Sequence, residues 1–307
     1  MNTTRRTGLA LALVTAGISA FSVYVNASAV RAFDSATVYT TAKNLVAALV
    51  LGLVAVVAAG ARRSSTAGRF RPHGVRQWLG LATIGVVGGS VPFVLFFEGL
   101  ARASSPQAAF IHKTLVVWVA VLAAVFLRER IGWAHLAAVA LLLVGQVGLA
   151  RAGMFPLDTG ALMILAATLL WSVEVVLAKR LLATVPSSVL ALARMGLGSI
   201  VLLAWVGVQG GLGALVTVSG EQLQWLLLTG LLLAGYVGFW FAALARAQAI
   251  DVTAILVVGA VGTAVLAGVL DGAALAPQVP WLVTITAGAV LVGLTMVRRP
   301  VVEAASQ

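Results

Sequence analysis

The sequence predicts an all-α integral membrane protein in which ten transmembrane helices form two inverted five-helix repeats. Three observations carry that expectation. Hydrophobic residues make up 61% of the 307 residues and charged residues 9%, with a mean hydropathy of +1.08, a composition unable to cover a water-facing surface. The apolar runs are about 18 to 25 residues long, enough to cross a hydrocarbon core as helices, whereas barrel strands show about ten alternating residues. Residues 96–132 also have a degenerate echo beginning at Phe241, in which Leu100-Ala101-Arg102-Ala103 aligns with Leu244-Ala245-Arg246-Ala247 at an offset of 144 residues.

Read against Gly, Pro and charge punctuation, the ten spans are 8–28, 35–59, 77–101, 105–127, 132–150, 158–178, 186–208, 222–245, 252–270 and 279–297. Pro106, Pro156, Pro186 and Pro280 fall at or just before helix starts, where a missing N–H costs little. Pro92 lies inside a span and predicts a kink there. The first span has the look of a secretory signal, with Arg5-Arg6 ahead of it and Asn26-Ala27-Ser28-Ala29 at its end. Residues from Thr7-Gly8 onward nevertheless pair with those from Thr159-Gly160 onward as the first helix of each repeat, so the span is kept as a helix. The repeats are then 1–151 and 152–307. Five helices is an odd number, so the second repeat enters the membrane from the opposite side.

Charge supports this topology. With both termini inside, fourteen of the twenty Lys and Arg residues fall on the cytoplasmic side of a plasma membrane. The net charge of +11 is accounted for in this way, and nucleic acid is excluded as the reason for it; the lipid bilayer is the expected partner. Cysteine is absent, which removes disulfides and thiolate chemistry. There is no clustered His, Asp and Glu spacing for a metal and no Gly-rich phosphate loop. Neither a cofactor nor enzymatic activity is expected, and transport would draw on gradients.

Ionisable groups at membrane depth cost about 2.5–3.5 kcal/mol each on insertion scales, so those present should face the bundle interior. Five stand out: Lys43, Glu98, Lys113, Glu174 and Arg194. Lys43 and Lys113 each lie roughly 13 Å down their helices from the outer face. Lys43 aligns within one residue of Arg194 across the repeats. Each charge has a static alternative, Glu98 with Arg102 at i and i+4, or Glu174 with Arg194 across helices. Thr15, Ser19, Ser22 and Asn26 form one polar line on the first span, and Thr37, Thr41 and Asn44 another beside Lys43 on the second. Asn26 is the best ligand contact among them, because an amide both donates and accepts. Trp171 lies one turn from Glu174, and Tyr236 one turn from Trp240, offering stacking surface if they line a cavity. His112 and Lys113 are adjacent and point about 100° apart, so only one can sit centrally on a face; Lys113 is expected to be that one. Gly85 and Gly89 predict close helix packing.

Ten helices in two halves, Phe126-Leu127-Arg128-Glu129-Arg130 closing the fourth, Val144-Gly145 in the fifth, Leu170-Trp171-Ser172 followed by Lys179-Arg180 in the sixth, and residues 289–293 in the tenth together resemble the EamA branch of the drug/metabolite transporter superfamily. The resemblance implies an exporter of amino acids or other small metabolites, with relatives that exchange sugar phosphates or nucleotide sugars. Three interior cations against two carboxylates leave one surplus positive charge, which suits a substrate bearing a carboxylate or phosphate. The expectation is therefore a secondary transporter of a small polar or zwitterionic metabolite, with Asn26, Lys43, Glu98, Lys113, Trp171, Glu174, Arg194, Tyr236 and Trp240 as candidate substrate contacts and protons as a candidate coupling partner. The alternatives are an organic-anion or sugar-phosphate antiporter and an intramembrane enzyme acting on lipid-linked substrates.

Overall fold

The computed structural model describes residues 3–61, 72–100, 102–103, 105–129, 131–150, 158–272 and 274–298. Among them there are helices and no strand. Eight stretches are long and apolar enough to cross a membrane, and two shorter apolar helices, Phe110–Phe126 and Trp133–Leu149, stand where the fourth and fifth spans were expected. In chain order the elements are α1 (Thr3–Ala29), α2 (Ala36–Ala61), α3 (Gly74–Val87), α4 (Val91–Leu100), α5 (Ser105–Lys113), α6 (Leu115–Phe126) and α7 (Trp133–Ala150). Then come α8 (Thr159–Leu181), α9 (Ser187–Val208), the short α10 (Leu212–Val216), α11 (Gly220–Leu244), α12 (Ala249–Leu256), α13 (Gly259–Leu270) and α14 (Val279–Arg298). Asp158 caps α8 by accepting from the Ala161 N–H, and Ser219 with Gln222 forms a reciprocal capping box on α11.

Three apolar stretches are broken, and the breaks position the site. The first falls at 88–90, between α3 and α4. Pro92 has no N–H to offer the carbonyl four residues earlier and its ring crowds that carbonyl, so the ladder opens at Gly88. The kink expected at Pro92 is thus displaced one turn toward the N-terminus. The freed Gly88 carbonyl accepts the Trp171 indole N–H at 3.1 Å. A second break, at Thr114, separates α5 from α6, and a third at Val257 and Val258 separates α12 from α13. Thr114 and Val258 stand 144 residues apart, the offset of the sequence echo, so the break is a property of the repeated unit.

The strongest helix contacts run between the two halves of the chain: α1 packs on α11 and α13, α2 and α3 on α9, α4 on α8, and α7 on α14. Small residues make them possible, because helices in lipid gain by close approach rather than by water exclusion. Ala12, Ala16 and Ala20 bury one stripe of α1, and Gly262 approaches it so closely that a Cβ would lie 2.6 Å from that of Ala20. A Cβ on Gly85 would lie 2.6 Å from that of Leu197, which is the close packing expected of the α3 glycines. Facing outward, Leu49, Leu53 and Val56 remain 65–73% exposed at helical spacing, an apolar surface that only a bilayer covers without penalty.

Candidate functional site

A cavity of about 200 Å³ opens between α1, α4, α5, the start of α6, α8, α9 and α11. Its polar wall is the Glu174–Arg194 ion pair. Arg194 Nε meets Glu174 Oε1 at 2.5 Å and Nη2 meets Oε2 at 3.1 Å, a two-pronged match of guanidinium to carboxylate. Among the described residues Arg194 Nη1 has only the Met195 sulfur, at 3.5 Å, and the guanidinium lies 5.6 Å from the Phe93 ring centre. Both charges are almost fully buried. The helix break makes room for them, since a Cβ on Gly88 would collide with the Glu174 carboxyl group. The aromatic wall is built from Trp171, held edge-on to Phe93 at 5.4 Å, and from Tyr236 stacked on Trp240 at 6.2 Å between ring centres.

Five of the nine expected contacts line this cavity: Trp171, Glu174, Arg194, Tyr236 and Trp240. Asn26 stands just behind the wall, where its amide donates to the cavity-lining Ser22 Oγ at 2.9 Å. Its Oδ1 accepts from Lys43 Nζ at 3.1 Å and from the Tyr39 hydroxyl at 2.5 Å. Lys43 therefore sits two hydrogen bonds from the cavity, with its ammonium 4.9 Å from the Tyr39 ring centre and 5.2 Å from that of Phe97. Glu98 is away from the cavity: it accepts from Thr37 at 3.2 Å and pairs with Arg102 at 2.7 Å, the i and i+4 bridge foreseen as its static alternative. Lys113 is a correction. His112, not Lys113, lines the cavity, while Lys113 turns into a separate space of about 20 Å³ against Thr253, Leu256 and Val257 of the α12 end. The reason is local. His112 is captured by Trp171 and Phe96, at 5.0 and 5.3 Å between ring centres, and the helix ends one residue later. Phe93 and Ser19 also line the cavity. Ser19 belongs to the polar line already visible on α1, whereas Phe93 carried no signal.

Charge is thus partitioned. Glu174 neutralises Arg194 and Arg102 neutralises Glu98, while among the described residues no carboxylate lies within ion-pair distance of Lys43 or Lys113. The surplus positive charge stays off the main cavity.

A second polar centre escaped the sequence reading. His135 on α7 and Asp251 in the first turn of α12, both buried, meet at 3.1 Å, with the Thr295 hydroxyl of α14 3.3 Å from the same imidazole nitrogen. Beside them Glu129, in the connection ahead of α7, accepts from the Ala249 and Ile250 N–H groups at 2.7 and 3.2 Å. Lys179 donates to the Leu244 and Ala247 carbonyls at 2.6 Å each. The turn between α11 and α12 is clasped by an anion at its helix start and a cation at its helix end, as peptide dipoles favour.

Burial holds the Glu129 carboxyl above the ordinary value of 4.5; Asp251 adds to the push, while the two amides and Lys179 oppose it. A carboxyl raised in the folded state binds its proton more tightly there than in the unfolded chain. Its contribution to stability is full below the ordinary value and is lost as pH rises through the raised one. Melting temperature is therefore expected to fall as pH rises above 4.5, with a shallower slope in Glu129→Gln. Equal slopes would remove Glu129 as the source.

A model of the EamA-like transporter family matches residues 6–151 and again residues 158–298. The chain belongs to the EamA-like transporter family. As an EamA-like transporter it is a multi-pass membrane protein of the drug/metabolite transporter superfamily, with the family's two-repeat organisation. A solved structure described only as "Crystal structure of protein" is similar over 96% of this chain and 100% of that one, with a TM-score of 0.75 at 20% identity, which shows a shared fold. Curated proteins yield no match.

Proposed function

We propose that this EamA-like transporter is a secondary active exporter of small polar or zwitterionic metabolites such as amino acids. In this reading ten transmembrane helices form two inverted repeats, 1–151 and 152–307, which alternate access around the cavity with both termini on the cytoplasmic side of the plasma membrane. The observation that carries it is the Glu174–Arg194 pair on the cavity wall. A carboxylate and a guanidinium held together are neutral in sum, and a zwitterion offers each a replacement partner: its ammonium for Glu174 and its carboxylate for Arg194. The unspent Nη1 of Arg194 supplies a further donor, and Trp171, Tyr236 and Trp240 give an apolar moiety a surface to stack on.

Counterflow into proteoliposomes tests this directly, with amino acids, sugar phosphates and organic anions each offered as labelled compound against the same compound trapped inside. Entry of an amino acid is expected, with Lys113→Gln leaving it intact and Tyr236→Ala weakening apparent affinity about two- to tenfold. Entry of phosphates or dicarboxylates alone, abolished by Lys113→Gln, would replace this reading with the organic-anion antiporter.

A further inference from the structure

We propose that Lys43 is the second anion-binding group of the transport cycle, holding the substrate's carboxylate in the opposite-facing state as Arg194 holds it in this one. The carboxylate then passes from one cation to the other when access changes, a step that rests on the transporter reading above.

The cavity is built on equivalent positions of the two repeats. Thr7-Gly8 pairs with Thr159-Gly160 at an offset of 152 residues. Three residues of α1 line the cavity, Ser19, Ser22 and Val23, and their counterparts at that offset on α8, Trp171, Glu174 and Val175, line it too. The starts of the same two helices pack reciprocally. A Cβ on Gly8 would lie 3.1 Å from that of Ala247, and a Cβ on Gly160 would lie 3.0 Å from the Ala103 nitrogen. Ala103 and Ala247 are themselves counterparts, at the offset of 144. A site shared by equivalent positions persists when the halves exchange shapes, which is how transporters built from repeats change access.

The two halves differ in how their cation is held. Lys43 of α2 aligns within one residue of Arg194 of α9, but Ser22 stands at the position equivalent to Glu174. Arg194 therefore has a carboxylate beside it and Lys43 does not. Eight of the chain's nine Asp and Glu residues are described, Glu303 being the exception, and none of the eight lies within ion-pair distance of Lys43. Among the described residues its ammonium meets one acceptor, Asn26 Oδ1 at 3.1 Å, and the faces of the Tyr39 and Phe97 rings. Yet Lys43 is only 5% exposed. One neutral hydrogen bond and two ring faces do not offset the burial of an ammonium, and a glutamine would hold Asn26 at less cost. What such a group lacks is an anion, and a substrate's carboxylate supplies one.

The connection to the cavity exists already. Asn26 donates to Ser22 Oγ at 2.9 Å, and Ser22 is on the cavity wall. Lys43 needs only to exchange the neutral Asn26 oxygen for a charged one, which makes the stronger hydrogen bond. On its far side Phe97 adjoins Glu98, whose pair with Arg102 at the end of α4 is partly exposed. Lys43 thus stands between the buried cavity and one face of the bundle.

Cysteine is absent from the sequence, so Lys43→Cys carries the protein's single thiol. In proteoliposomes under exchange this thiol is expected to react with the membrane-impermeant anion sulfonatoethyl methanethiosulfonate, as does the thiol of Ser22→Cys on the cavity wall. Counterflow of the labelled amino acid that wild type admits should fall at least about tenfold in Lys43→Cys. Aminoethyl methanethiosulfonate, which rebuilds an ammonium at the position, should restore it, and the neutral methyl reagent should not. A thiol that stays unreactive in folded Lys43→Cys while that of Ser22→Cys reacts, or equal recovery with the neutral reagent, overturns the proposal. If Lys43→Cys does not fold, Lys43→Arg and Lys43→Gln decide: arginine should keep counterflow within about threefold of wild type and glutamine should lose about tenfold or more, and equal rates overturn the proposal. Absence of counterflow for every compound in wild type would count against the transporter reading instead, and thiol reactivity would still decide whether position 43 reaches the cavity.

Discussion

Replacing Arg194 by methionine is expected to destabilise the folded protein by about 3 kcal/mol or more, while the double variant Glu174→Gln/Arg194→Met recovers much of that loss. The single substitution removes the guanidinium and leaves a carboxylate that is 3% exposed, hemmed by Gly88 and with no other cation in ion-pair contact among the described residues. Desolvating an unpaired charge costs more than the pair ever contributes, and that asymmetry is what the double variant exposes. Thermal melts of purified wild type, both single variants and the double variant form a closed cycle whose coupling should be large. A neutral Arg194→Met would mean that water already solvates Glu174 and that the pair is loosely held.

This experiment also separates holding the fold from handling substrate. If the pair only locks α8 to α9, the double variant regains both stability and transport. If substrate replaces each partner during the cycle, the double variant regains stability alone. Counterflow on the stable double variant is the discriminating readout, and complete recovery of transport would leave the zwitterion reading without support.

Much of this was legible from residue order because membrane burial forces a simple logic. A charge at depth must find a partner, so Glu174, Arg194 and Glu98 could be picked out along with the partners they adopt. Helical spacing likewise put Trp171 beside Glu174 and Tyr236 beside Trp240. What could not be read depends on backbone irregularity. Facing arguments assume an unbroken helix, and the interruption at Thr114 defeats that assumption just where His112 and Lys113 had to be told apart. Pro92 announced an interruption, but that its effect would fall on the Gly88 carbonyl, and that Trp171 would take up that carbonyl, requires three dimensions. The His135–Asp251 pair escapes for another reason: Asp251 lies one residue ahead of the expected span 252–270, so a search for charges at membrane depth does not reach it. Two partners 116 positions apart leave no periodic trace.

Two alanine substitutions on α9, two residues apart, should move stability in opposite directions. Gly198 faces the break between α3 and α4, and a Cβ there would lie 2.6 Å from the Gly89 carbonyl carbon and oxygen and 2.7 Å from its Cα. Those are backbone atoms with no rotamer to yield, so Gly198→Ala must push two helices apart. The cost is expected to be about 3 kcal/mol, the upper end of the usual overpacking range, or failure to accumulate as a monodisperse species. Gly196 has nothing within 4 Å of its would-be Cβ, so Gly196→Ala should stabilise α9 by about 0.5–1 kcal/mol through lower backbone entropy in the unfolded chain. The consequence reaches the cavity, because a Cβ on Gly89 would strike the Arg194 carbonyl; this crossing is what brings Arg194 beside the opened ladder where Glu174 sits. Gly89→Ala should therefore lower both melting temperature and transport, whereas Gly196→Ala raises the first and spares the second. A tolerated Gly198→Ala, with a melt like that of wild type, would show that α9 and the α3–α4 break do not meet backbone to backbone, and the geometry deduced for the ion pair would fall with it.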